Sequence, residues 1–70
     1  MLVSEMGKSV GFAQPYPIKN SQGGGYIYRD RRLNQLCLTV LHGKIVVQRN
    51  GQNQVVTGHL NLQAGDDVQV

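Results

Sequence analysis

GKIVVQRNGQNQVV, residues 43 to 56, is the stretch on which the reading of the fold turns. Ile45-Val46-Val47 and Val55-Val56 are β-branched runs, whose side chains suit a pleated, half-buried strand. Between them lies Asn50-Gly51, two residues that accept the positive φ a tight hairpin turn demands. A two-residue loop pairs Val46 with Val55, whereas a three-residue loop pairs Val47 with Val55, and the local sequence leaves both registers open. Downstream, Leu60-Asn61-Leu62 alternates, Gly65-Asp66 turns the chain, and Val68-Gln69-Val70 alternates again. The expectation is a run of consecutive antiparallel hairpins over 43–70. The pattern stops in mid-alternation at Val70, which predicts a terminal strand open to pairing with another chain.

Working upstream, residues 33–42, LNQLCLTVLH, carry two periods at once. Leu33, Leu36, Cys37, Val40 and Leu41 form the stripe of an amphipathic helix, with Asp30 to cap it and Gly43 to end it. Leu36, Leu38 and Val40 alternate as a strand would. Arg31 and Arg32 oppose the macrodipole of a helix that begins beside them, and Thr39 and Val40 are β-branched, so strand is the favoured reading. Tyr26-Ile27-Tyr28 is a further strand signal. Residues 18–25, ending in Gly23-Gly24-Gly25, read as a flexible Gly-rich loop. Pro15 and Pro17 each lack a backbone donor, which bars their segment from a helix interior or a central strand. A loose alternation around Leu2, Val3, Val10 and Phe12 predicts a short edge strand or two over residues 1–14.

The fold class that follows is all-β, or β-rich with at most one short helix near 31–42. Its arrangement is expected to be a small antiparallel barrel or sandwich, with residues 1–70 as one domain. At 70 residues such a chain buries only about 60% of the surface exposed on unfolding. Its apolar fraction of 40% and aromatic fraction of 6% make the core thin, so self-association into a homo-oligomer is the readiest source of extra buried area. Cys37 is the only cysteine, which excludes an internal disulfide and, with no signal peptide or apolar run of roughly 20 residues, predicts a cytoplasmic location without membrane partners.

The cadence from Leu38 to Val70, with its glycine turn at Gly43, its Asn50-Gly51 hairpin and its Gly65-Asp66 turn, resembles the middle of a cupin-type β-fold. The histidines and glutamate that bind metal in that family are absent before Gly43, and so is the proline-histidine segment after Asp66. The resemblance therefore implies no metal chemistry here. The same order of turns is similar to the hairpin end of a small RNA-binding domain whose preceding helix pair is not recognisable in this chain.

The net charge is +3, from seven Lys and Arg against four Asp and Glu, which is compatible with an anionic partner. The densest cluster is Tyr26, Tyr28, Arg29, Arg31 and Arg32. Tyrosine rings stack unpaired bases and arginines pair with phosphates, so this mix suits single-stranded nucleic acid. Lys19, Lys44 and Arg49 extend the patch if folding brings them to the same side. Gly23-Gly24-Gly25 is followed by no Gly-Lys-Ser/Thr and reads as a connector rather than a phosphate loop. Cys37, His42 and His59 match no zinc spacing, and Asp66-Asp67 falls short of a calcium loop. Cys37 with either histidine lacks the third, orienting group of a nucleophilic site, and a cysteine between leucines is expected to be buried. The expected function is a non-enzymatic binding module without cofactor or metal, with nucleic acid as the candidate ligand of the Tyr/Arg patch. The alternative is an oligomeric structural or protein-interaction β domain of the kind found in phage or mobile elements.

Overall fold

A computed structural model describes residues 1–6, 10 and 14–70. A single-turn helix, α1 (Val3–Met6), precedes seven strands: β1 (Tyr16–Asn20), β2 (Gly23–Asp30), β3 (Gln35–Gly43), β4 (Ile45–Arg49), β5 (Gln52–Val56), β6 (His59–Asn61) and β7 (Asp67–Val68). They form two antiparallel sheets, a four-stranded one in the order β1-β2-β3-β6 and a three-stranded one in the order β5-β4-β7. Their inner faces meet in one apolar cluster, to which Ile18, Ile27, Leu38 and Val40 contribute from the larger sheet and Ile45, Val47, Val56 and Val68 from the smaller. This is the small β architecture that the alternating pattern predicts. The last two strands do not simply extend the hairpin: β6 joins β3 and β7 joins β4.

Residues 33–42 settle as a turn and a strand. Leu33 and Leu41, both in the helical stripe, are 64% and 68% exposed, while Leu38 between them is fully buried. Period two wins because β3 has partners on both sides and its alternate residues can reach a core. Asp30 caps a turn rather than a helix, its carboxylate accepting from the Arg32 amide at 2.9 Å. The only helix among the described residues lies instead at 3–6, where edge strands are expected. There Val3 and Met6 enter the core, and of the expected strand the described residues form only the isolated bridge Leu2 to Asp67. Phe12 lies outside the described residues. Asn50 and Gly51 take φ of 52° and 77°, the two-residue loop closes, and Val46 pairs with Val55.

The segment 18–25, expected as a flexible loop, is instead the β1–β2 hairpin, with Gly23, Gly24 and Gly25 laddered to both β1 and β3. The glycines answer to space rather than mobility. The register of β2 on β3 slips between Gly24 and Gly25, a bulge that brings backbones together. A Cβ at Gly25 would run into the Thr39 carbonyl, and one at Gly23 would stand 2.6 Å from the Lys44 amide nitrogen. Pro17 is accommodated because β1 is a sheet edge.

Candidate nucleic-acid interface

Ile27 is fully buried, so its neighbours Tyr26 and Tyr28 must point to the opposite, outer face of the four-stranded sheet. Both are half-buried, and their rings lie 5.7 Å apart, tilted by 45°. Directly opposed residues share a face. The ladder therefore sets Pro17, Tyr26, Thr39 and His59 in one row across the sheet, and Tyr28, Cys37 and Asn61 in the next. Side-chain hydrogen bonds stitch these rows: Thr39 Oγ1 to His59 Nδ1 at 3.0 Å, and the Cys37 thiol to Asn61 Oδ1 at 3.3 Å. Burial raises the pKa of the Tyr28 phenol above its ordinary value, with Cys37 adding to the rise and Thr39 opposing it.

The basic residues divide. Lys19 pairs with Gly24 and lies exposed on the tyrosine face of β1, with the His42 ring close by, since a Cβ at Gly24 would sit 2.9 Å from its Nε2. Arg31 and Arg32 are exposed in the turn at the opposite end of the β2–β3 hairpin. Arg29 pairs with Leu36 on the inward side, and its Nε donates to the Val10 carbonyl at 3.4 Å. It belongs to the other face from the tyrosines. Lys44 is exposed at the bend between β3 and β4. Arg49 is engaged elsewhere: Nε and Nη2 donate to the two oxygens of Asp66 at 3.0 and 2.7 Å, and Nη2 also reaches the Asn61 carbonyl.

His59, Thr39 and Asn61 share this face with the tyrosines, yet nothing in the linear sequence marks them, because β3 meets β6 across some 20 intervening positions. Cys37 and His59 also come onto one face. Among the described residues, however, no group of three or more His, Cys, Asp or Glu is placed to hold a metal ion. A cleft of about 530 Å³ lies away from the tyrosines, between the β1–β2 turn and the smaller sheet, and Gln22, Gln48, Asn53 and Gln69 help line it. Its lining contains no charged or aromatic residue. No helix among the described residues is long and apolar enough to cross a membrane. Comparison of the chain with protein-family models, with curated proteins and with solved structures finds no match.

Proposed function

We propose that this protein is a non-enzymatic, cytoplasmic binding module that takes single-stranded nucleic acid on the outer face of its four-stranded sheet. The observation that carries the reading is the Tyr26–Tyr28 pair, two half-exposed rings 5.7 Å apart on one open sheet face. A flat face with aromatic rings stacks unpaired bases, whereas paired bases in a duplex offer no free ring faces. Lys19 at one end and Arg31 and Arg32 at the other lie where a backbone crossing the rings would run. Lys44 adds positive charge near the Lys19 end. Arg29 and Arg49 drop out of the binding set, because each guanidinium already serves the fold.

Fluorescence anisotropy with labelled single strands tests this. The expected result is salt-sensitive binding, because each phosphate neutralised releases counterions, and weaker binding to duplex. Tyr26→Ala and Tyr28→Ala are each expected to weaken binding by about 1–3 kcal/mol, the worth of one stacked base. Arg31→Glu with Arg32→Glu is expected to abolish it while circular dichroism stays unchanged. Undiminished affinity in all these variants defeats the proposal.

A second reading, self-association as an interaction module, is favoured by a different feature: among the described residues nothing pairs with the outer edge of β5, and Val55 on it is 58% exposed. Light scattering across a concentration series tests it, a strict monomer being the adverse result.

A further inference from the structure

The four sheet edges are not alike. β1 carries Pro17, which has no N–H, and the charged Lys19. β6 is three residues long. The edge of β7 is covered by the chain's own first residues, with the Val68 amide donating to the Met1 carbonyl at 2.9 Å and Leu2 bridging Asp67. Natural edges are blunted by such devices: proline, charge, shortness or a covering segment. β5 has none of them. Its sequence, Gln52-Asn53-Gln54-Val55-Val56, contains no proline, glycine or charge, and among the described residues no backbone group pairs with its outer side.

The hairpin register says which groups are free. In a two-residue hairpin the residues flanking the loop exchange both backbone hydrogen bonds, and bonded and non-bonded pairs then alternate. Arg49 and Gln52 flank the loop, so Val47 with Gln54 and Ile45 with Val56 are bonded pairs as well. Asn53 and Val55 therefore turn their N–H and C=O groups outward. We propose that β5 is a self-recognition strand, to which a second copy adds its own β5 antiparallel about a two-fold axis through Gln54.

In that register Asn53 exchanges backbone hydrogen bonds with the partner's Val55, and Val55 with the partner's Asn53. Gln54 faces the partner's Gln54, where two carboxamides supply both donor and acceptor. The outward groups match without any shift. In a chain of net charge +3, the uncharged β5 edge is also one where two copies meet with little repulsion. The pairing fuses two three-stranded sheets into one continuous sheet. One strand pair gives a contact at the small end of specific interfaces, so the association is reversible and concentration-dependent. This rests on the second reading above and is independent of the tyrosine face, which lies on the other sheet.

The test is charge exchange at the two-fold axis, read by sedimentation velocity over a concentration series. The unsubstituted protein is expected to form a dimer. Q54K and Q54E are each expected to be monomeric, since like charges face one another across the axis, and an equimolar mixture of the two is expected to restore the dimer. N53P supplies a second variant. It removes an outward N–H, leaves the ladder to β4 intact, and is expected to abolish the dimer with circular dichroism unchanged. A monomer at every concentration overturns self-association as a whole. A dimer that withstands Q54K, Q54E and N53P leaves self-association standing and overturns the β5 edge as its site.

Discussion

Asp66 shows how much one buried residue can carry in a thin core. It is 2% exposed and accepts from Arg49 through both oxygens and from the Gln63 amide at 2.8 Å. A buried carboxylate without partners is costly, so the site persists because these donors replace its water. Removing the carboxylate leaves the guanidinium beside a gap, and Asp66→Ala is expected to cost about 2–3 kcal/mol in urea unfolding. The pH dependence has a definite sign. The hydrogen bonds from Arg49 hold the Asp66 carboxyl below its ordinary range, against the opposing effect of burial. The unfolded chain therefore takes up this proton first as pH falls. The stabilisation is complete above the ordinary carboxylate pKa of about 3.9, and it is lost as pH drops through the lower, folded value. Denaturation midpoints are expected to fall through that acid window in the native sequence and to fall less in Asp66→Asn. Equal slopes in the two proteins would remove this account of acid sensitivity. Arg49 reads in the sequence as one more cation of the patch. Its engagement was not legible there, since its partner lies 17 positions away and only folding brings it within reach.

At the scale of elements, the glycines of β2 and the loop glycine Gly58 are superficially similar and physically opposite. Gly25 lies at the bulge against the Thr39 carbonyl, whereas a Cβ at Gly58 meets nothing within 4 Å. Gly25→Ala is expected to destabilise by about 1–3 kcal/mol or more, as overpacking does. Gly58→Ala is expected to be neutral or to stabilise by about 0.4–1 kcal/mol through the unfolded chain. Thermal melts of the two variants side by side check both signs. Three consecutive glycines suggest mobility when read alone, because their common property is conformational freedom. Here they permit the close approach of β2 to the chain around Gly43. Asn50-Gly51, by contrast, was legible as a turn, though not in its loop length: its requirement is for positive φ within the dipeptide itself, and no distant contact alters that.

At the scale of the molecule, the C-terminal strand that reads as an open edge is part of the core. Val68 is fully buried, pairs with Val47, and receives the first residues of the chain against its other side. Val68→Ala is expected to cost about 2 kcal/mol or more. Deleting Val68 to Val70 is expected to unfold the protein rather than to dissociate an oligomer. Loss of the circular dichroism strand signal marks the first outcome, and a folded monomer the second. The open edge that remains among the strands is at β5, whose five residues lack every device that shields the others.

The sequence by itself determined that this chain is built of strands and where its central hairpin turns. Those properties depend on side-chain alternation and on the φ preferences of neighbouring residues, and both are local. Tertiary structure decided the rest. It chose strand over helix for 35–43 by offering β3 two flanking partners, and it brought Thr39, His59 and Asn61 onto the face of Tyr26 and Tyr28. It also bound Arg49 to Asp66, and it covered β7 with the chain's first residues while no other described residue pairs with the outer side of β5. Each of these depends on which distant segment comes alongside, and strand pairing between distant segments is set by burial of the whole core rather than by any one stretch of residues.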